Sequence, residues 1–132
     1  MEETFDFDAI VVGSGITGGW SAKQLTEAGL KVLLLERGPD IPHGSGYTTE
    51  SKAPWDMPFR GKGDAELYAA QYPVQRLNRH FTEFTQNHFV NDAENPYQQG
   101  EGAFNWFRSY NLGGRSLTWG RQTYRWSDWD FD

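Results

Sequence analysis

The chain has 132 residues and a formal net charge of −6, which argues against nucleic acid or an anionic membrane surface as its main partner. It contains no cysteine, so disulfide frameworks and thiolate metal sites are excluded. The first residues, "MEETFDFDAIVVG", match neither a signal peptide nor a membrane span, so we expect a cytoplasmic protein, with export alongside a signal-bearing partner left open.

The first 38 residues are predicted to form a strand–helix–strand unit. Asp8–Val12 is a short apolar run rich in β-branched side chains, which predicts a strand buried on both faces. A glycine turn and the helical segment "ITGGWSAKQLTEAG" follow, with Gly29 as the expected helix stop. Val32–Leu35 is predicted to be a second buried strand. This order predicts an α/β fold built on a right-handed, Rossmann-like βαβ unit.

Glycines in the first turn match the dinucleotide-binding pattern Gly13-x-Gly15-x-x-Gly18. Gly13 permits the tight turn, Gly15 lets the backbone approach a pyrophosphate, and Gly18 lets the helix pack closely on the sheet. The N-terminus of the helix adds free N–H groups and the positive end of its dipole. Ser14 and Thr17 lie in the same turn, and we predict that all five residues bind the cofactor.

Glu36 and Arg37 follow the second strand directly. An acidic residue at this place can accept hydrogen bonds from an adenosine ribose, and it disfavours the 2′-phosphate of NADP even with Arg37 beside it. We predict both residues to be cofactor contacts. Strand, turn, helix and acid together indicate a dinucleotide site, but this pattern does not separate NAD from FAD.

The middle of the chain, residues 39–103, carries weaker signals. Its glycine- and proline-rich start predicts loop, and Asp64 is expected to cap a short helix over "AELYAAQ" that ends before Pro73. The segment "HFTEFTQNHFV" alternates in part, which favours a strand or an extended segment. So long a stretch with so little regular structure argues against an independent compact domain. The histidines show no metal-ligand spacing, and we predict no metal site; they are His43, His80 and His88.

Two segments, "DAIVVGSGITGGWSAKQLTEAGLKVLLLERG" and "LGGRSLTWGRQTYRWSDWDF", together resemble the two FAD-binding signatures of the glucose-methanol-choline (GMC) oxidoreductases. The details of the second are similar to the bacterial sugar dehydrogenase and pyranose oxidase branch. The resemblance implies FAD as cofactor, with the first glycines at the pyrophosphate and Glu36 at the ribose. It also implies a second set of cofactor contacts near the flavin: Gly113, Gly114, Ser116, Thr118, Trp119 and Gly120.

The same resemblance implies the chemistry. Family members oxidise a CH–OH group by hydride transfer to flavin, here on a sugar or polyol. Members with covalent flavin have a histidine at the position of Thr118, so we expect FAD to be bound non-covalently. The family's catalytic histidine lies near the far C-terminus, and no residue of this chain matches it. We therefore expect an N-terminal portion of a longer enzyme, inactive alone, whose catalytic residues, electron acceptor and partner subunit are not assigned.

The resemblance divides the chain into a βαβ dinucleotide unit (1–38), an irregular extension (39–103) and a second flavin-contacting motif (104–132), without a substrate domain. Trp126 and Trp129 are expected to pack against the rest of such an enzyme. Two alternatives stay open: a stand-alone module that binds FAD or NAD without catalysis, and a carbohydrate-binding module that uses its tryptophans. A cluster of C-terminal arginines suits an anionic ligand; they are Arg108, Arg115, Arg121 and Arg125.

Overall fold

A computed structural model describes residues 6–132. Residues 1–5 lie outside that range, and the prediction that the first residues match neither a signal peptide nor a membrane span falls partly on them. Strand β1 (Ala9–Val12), helix α1 (Ile16–Glu27) and strand β2 (Val32–Leu35) come first, and helix α2 (Ala65–Gln71) follows later. Short 3₁₀ helices lie at Pro54–Asp56, Gln75–Leu77, Gln86–His88, Gly114–Leu117 and Asp128–Asp130. The predicted α/β class with a Rossmann-like βαβ unit is confirmed. Within the described range, neither α-helix is long and apolar enough to cross a membrane.

The two strands form a parallel pair, in which Ala9 is opposite Val32 and Val12 is opposite Leu35. A parallel pair needs a crossover connection, and α1 provides it. The helix ends as predicted at Gly29, whose φ of +87° suits a residue without Cβ. The amides after the last turn donate back to Leu25 and Thr26, the pattern of a Schellman stop.

The prediction that β1 is buried on both faces is wrong for the described residues. Val11 is 9% exposed, whereas Ile10 is 63% and Val12 is 81% exposed. One crossover helix can cover only one face of a two-stranded sheet, so the side chains that alternate with Val11 stay uncovered.

The middle of the chain packs around a small aromatic core. Tyr68, Phe81 and Phe89 are buried together, with Tyr72 against them. Burial raises the pKa of the Tyr68 phenol to about 12, with Glu83 adding to that effect. Helix α2 presents Tyr68 to this core, and Asp64 caps it as predicted by accepting from the amides of the first turn at 2.9 and 3.1 Å.

The prediction of a strand or extended segment over residues 80–90 is wrong, because the chain there forms turns and the 3₁₀ helix Gln86–His88. Threonine side chains explain the difference. The Thr82 amide donates to the Thr85 hydroxyl at 3.0 Å, and that hydroxyl donates to the His80 carbonyl. Such local bonds give the backbone partners that a strand would otherwise have to find in a neighbour.

A buried polar cluster joins the extension to the segment that follows it. Asp92 forms a 3.1 Å ion pair with Arg108 and accepts from the Gln75 amide group at 2.8 Å. Gln75 in turn accepts from the Arg108 backbone N–H at 2.9 Å and donates to the Trp106 carbonyl at 3.0 Å. The sequence grouped Arg108 with a C-terminal arginine cluster suited to an anionic ligand. The structure removes it from that cluster, because Asp92 neutralises its charge inside the protein.

Candidate functional site

The glycine turn after β1 brings the start of α1 close to the sheet. Gly13 has a φ of +90°, and its N–H continues the strand ladder by donating to the Leu35 carbonyl at 2.7 Å. A Cβ at Gly18 would clash with the Gly13 carbonyl oxygen and would lie 3.5 Å from Val11 Cγ1. This contact gives a physical reason for glycine at position 18, since any side chain would push the helix away from the turn.

The second glycine motif lies directly against the first. Gly113 and Gly114 both have positive φ angles, +84° and +55°, and they lead into the 3₁₀ helix Gly114–Leu117, which contacts α1. A Cβ at Gly114 would lie 3.4 Å from the Cα of Gly15. Two glycine turns that are remote in sequence therefore meet with only backbone atoms between them.

Ser14 joins the two motifs by a hydrogen-bond relay. Its hydroxyl accepts from the Gly113 N–H at 2.8 Å and donates to a carboxylate oxygen of Glu36 at 2.6 Å. The Ser14 backbone N–H donates to the same oxygen at 2.8 Å. The end of β2, the first glycine turn and the second glycine motif are thus connected through one side chain.

Glu36 is the anionic centre of this arrangement. Its other oxygen accepts from the backbone N–H groups of Arg37 and Gly38 at 2.8 and 2.9 Å. Four donors match the acceptor capacity of a carboxylate. The Ser14 hydroxyl, followed by the Ser14 and Gly38 amides, lowers the pKa of Glu36 from its ordinary value of 4.5 to about 2, so the group is ionised at neutral pH. Its role as ribose ligand stays a prediction.

Arg37 and Tyr110 form one wall of the site. The Arg37 guanidinium lies 3.9 Å from the centre of the Tyr110 ring and donates to the Asn95 side-chain oxygen at 3.0 Å. Nearby, a Cβ at Gly38 would clash with the backbone of Tyr110. Close backbone contact and ring stacking together hold the segment before the second glycine motif against the end of β2.

These features surround a cavity of about 410 Å³, a size common for small-molecule sites. Its lining consists of Val12, Gly13, Gly15, Leu35, Glu36, Arg37, Ser109, Tyr110 and Gly114. A Cβ at Gly13 or Gly15 would meet no protein atom within 4 Å, so the backbone of the turn faces open space. The glycine backbone, one carboxylate and a helix N-terminus fit the phosphate and ribose of a dinucleotide.

The remaining predicted contacts lie elsewhere. The Ser116 hydroxyl donates to the Gly113 carbonyl at 2.6 Å and stabilises the second glycine turn. Thr118, Trp119 and Gly120 line a different cavity of about 370 Å³ beside His88. Thr17 and Trp119 line a third, of about 1000 Å³. The structure therefore gathers Gly13, Ser14, Gly15, Glu36, Arg37, Gly113 and Gly114 in one place, and the flavin-end residues in others.

Other side chains singled out in the sequence lie apart from this site. Burial lowers the pKa of His88, and among residues 6–132 no group of three or more His, Asp or Glu side chains could hold a metal ion. Trp126 and Trp129 are 67% and 89% exposed. Their packing against further protein therefore stays a prediction.

Sequence reasoning missed Tyr110 and Gly38. A signal existed for each, since Tyr110 stands three residues before the second glycine pair and Gly38 stands two residues after Glu36. Neither position belongs to the dinucleotide pattern itself. Their importance comes from contact between segments that are far apart in the chain.

Comparison with known families gives a match over residues 8–116 to the family described as FAD dependent oxidoreductase. The gluconate 2-dehydrogenase flavoprotein of Pantoea cypripedii is 66% identical over 32 residues, 24% of this chain and 5% of that protein. The fructose dehydrogenase large subunit of Gluconobacter japonicus is 28% identical over 133 positions, 98% of this chain and 22% of that protein. An uncharacterized GMC-type oxidoreductase of Sinorhizobium fredii is 39% identical over 62 residues, 47% of this chain and 12% of that protein.

The chain thus spans between about a twentieth and about a fifth of the length of these relatives. No solved structure matches it.

Proposed function

This chain belongs to the family of FAD-dependent oxidoreductases, and on that premise we propose that it supplies the dinucleotide-binding part of an enzyme that oxidises a sugar or polyol hydroxyl. FAD is the cofactor, as the resemblance of the two segments to the GMC signatures implied, and the relatives include a GMC-type protein. The observation that carries the proposal is the Gly113–Ser14 hydrogen bond, since it unites both motifs around one cavity.

In this proposal the glycine turn binds the pyrophosphate. Gly13 and Gly15 expose backbone to open space, and α1 starts without a capping side chain, so its first N–H groups are free to donate. Glu36 binds the ribose with its ionised carboxylate, and a ribose hydroxyl would replace or share the place of one of its four present donors. Tyr110, held by the Arg37 guanidinium, closes the side of the cavity.

The residues after the second glycine motif serve the flavin end in this proposal. A bound FAD would supply the hydride acceptor for the carbinol carbon of the substrate. Thr118, Trp119 and Gly120 line the cavity beside His88, and Ser116 stabilises the turn that precedes them. Threonine offers no ring nitrogen for a covalent flavin bond. We therefore propose dissociable FAD, and acid precipitation of the loaded protein should leave the flavin in the supernatant.

The substrate class rests on the relatives. One is named a gluconate 2-dehydrogenase and another a fructose dehydrogenase, and the second is named as a large subunit. We propose a sugar or polyol as the electron donor and a further subunit as a candidate acceptor. The cytoplasmic location expected from the first residues stays a prediction.

Flavin binding and reduction test the proposal. The protein produced from its natural gene is loaded with FAD and mixed without oxygen with a panel of sugars and polyols. We expect at least one to bleach the visible absorption of oxidised flavin. Tight binding of FAD or NAD without bleaching by any of them would favour a nucleotide-binding module instead, and binding of neither would overturn the proposal.

A substitution at Gly15 makes the test specific to the cavity. A Cβ there meets no protein atom within 4 Å and the position has an ordinary φ, so we expect Gly15→Val to fold. It should still obstruct the close backbone approach that a pyrophosphate needs, and we expect FAD affinity to fall more than about tenfold. Gly100→Val, at an equally open glycine away from the cavity, is the matched control. Equal FAD affinity in both variants would count against the assigned site.

A further inference from the structure

We propose that Ser14 is a positioning residue that fastens the second glycine motif to the nucleotide turn and thereby sets how tightly the chain holds FAD. The inference rests on the proposed function only for its effect on the cofactor. The fastening itself is a property of the fold and can be measured without FAD.

The chemistry of the three groups determines the direction of each bond. An ionised Glu36 can only accept, so the Ser14 hydroxyl must donate to it, at 2.6 Å. A backbone N–H can only donate, so Gly113 must donate to the hydroxyl oxygen, at 2.8 Å. A hydroxyl satisfies both demands at once, whereas alanine satisfies neither.

The relay ends on a charge, which strengthens both of its bonds. Hydrogen bonds to a carboxylate are about twice as strong as those between neutral groups, and a polarised hydroxyl is a better acceptor for the next donor. Glu36 is held in turn by the amides of Arg37 and Gly38, so its position is determined by the end of β2. The Gly113 N–H therefore binds to a rigid anchor.

Among the described residues, no hydrogen bond other than that from Gly113 to Ser14 joins residues 104–118 to residues 8–38; just beyond that range, the Leu112 N–H donates to the Pro39 carbonyl at 2.9 Å. The two segments otherwise meet through the stacking of Arg37 on Tyr110 and the close backbone contacts at Gly38 and Gly114. Gly114, next to the fastened residue, both lines the cavity and lies against Gly15. Loss of the Ser14 hydroxyl should therefore loosen one wall of the cavity while Gly13, Gly15 and Gly18 of the turn stay unchanged.

The test compares Ser14→Ala with Ser14→Thr, which keeps the hydroxyl, and with Ser21→Ala. Ser21 lies in α1, is exposed and donates to the Thr17 carbonyl at 2.9 Å, so its loss controls for removal of a serine hydroxyl from the same unit. Two quantities are measured: the FAD dissociation constant, and the hydrogen-exchange rate of the Gly113 amide by NMR without FAD.

We expect Ser14→Ala to weaken FAD binding about tenfold and to speed exchange at Gly113 by a similar factor, because both bonds of the hydroxyl, one of them to a carboxylate, are lost. Ser14→Thr and Ser21→Ala should change each quantity less than about threefold. Weaker FAD binding in Ser14→Ala with unchanged exchange at Gly113 would make Ser14 a direct ligand and overturn the positioning role. Unchanged values of both quantities would overturn it as well.

Two further outcomes are separable. If the unaltered protein binds no FAD, the proposed function fails, while exchange at Gly113 still decides whether Ser14 fastens the motif. If circular dichroism shows that Ser14→Ala does not fold, Ser14→Cys takes its place, because a thiol donates and accepts only weakly. Faster Gly113 exchange in that variant supports the proposal, and unchanged exchange contradicts it.

Discussion

The βαβ unit and the extension that follows it are stabilised in different ways. In the βαβ unit, backbone hydrogen bonds pair β1 with β2 and form the turns of α1, and one sheet face remains uncovered. In the extension, regular elements are few, and buried side chains bind the backbone instead. Asp92 alone accepts from two backbone amides, one side-chain amide and one guanidinium.

The difference shows that an irregular chain can be as firmly specified as a regular one when its polar groups are satisfied internally. Glu83 repeats the principle, since its buried carboxylate accepts from the amides of Phe59 and Gly61. The candidate site lies where the two kinds of region meet, and Glu36 combines the features of both. It ends a strand, and it also binds surrounding amides as Asp92 does.

The largest effect is expected from breaking the buried cluster. Asp92→Ala leaves the Arg108 guanidinium buried without its partner and removes the acceptor of two backbone amides, so we expect a loss of about 3–5 kcal/mol in the free energy of unfolding. Lys23→Ala, which breaks the exposed pair with Glu27, should cost about 0.5 kcal/mol or less. Urea unfolding compares the two, and similar losses would show that the extension does not depend on its buried charges.

Two neighbouring glycines of α1 should respond with opposite signs. Gly18→Ala places a Cβ against the Gly13 carbonyl, and we expect it to cost about 1–3 kcal/mol and to weaken FAD binding. Gly19→Ala meets only the Ser14 carbonyl at 3.7 Å, an ordinary contact, and should stabilise the helix by about 0.5–1 kcal/mol. Melting temperatures of both variants give the answer. Destabilisation by Gly19→Ala would mean that this stretch of helix is constrained in a way that its contacts do not reveal.

The two regions also differ in how far the sequence predicted them. The bounds of β2, the start of α1 and the Asp64-capped helix came from local patterns, because hydrophobic runs, glycine stops and caps act within a few residues. The segment 80–90 was misjudged, since threonine–backbone bonds there outweigh its partial alternation.

Long-range pairing had no such local signal. Nothing near Arg108 indicates that its partner is Asp92, and the arginines around it indicated a site for an anionic ligand instead. At the site, motif spacing identified the first glycine turn and Glu36, and the family resemblance identified the second glycine turn. The relay through Ser14 could not be predicted, because it depends on how two segments 99 residues apart approach each other.

Acid should weaken the site where the two regions meet. The pKa of Glu36 is lowered to about 2, so its ionised form stabilises the fold fully above the ordinary value of 4.5, and that contribution is lost as the pH falls toward about 2. Glu36→Gln should lower stability at neutral pH and flatten its dependence on pH across this window. Urea midpoints measured through the window test this. Parallel pH profiles in the two proteins would show that Glu36 is not held by its donors.

The smallest effect should come from the wall of the cavity. Arg37→Ala removes the guanidinium 3.9 Å from the Tyr110 ring and its bond to Asn95, and at an exposed site such stacking contributes about 0.5–1 kcal/mol. We expect FAD binding to weaken about two- to fivefold, with little change in melting temperature.

Lys31→Ala provides the comparison for this wall, because it removes a cation 5.1 Å from the Phe7 ring, away from the cavity. It should leave the FAD dissociation constant unchanged. If Arg37→Ala also leaves it unchanged, the stacked pair does not shape the cavity. The Ser14 bond would then remain as the one hydrogen bond, among the described residues, that joins residues 104–118 to the βαβ unit.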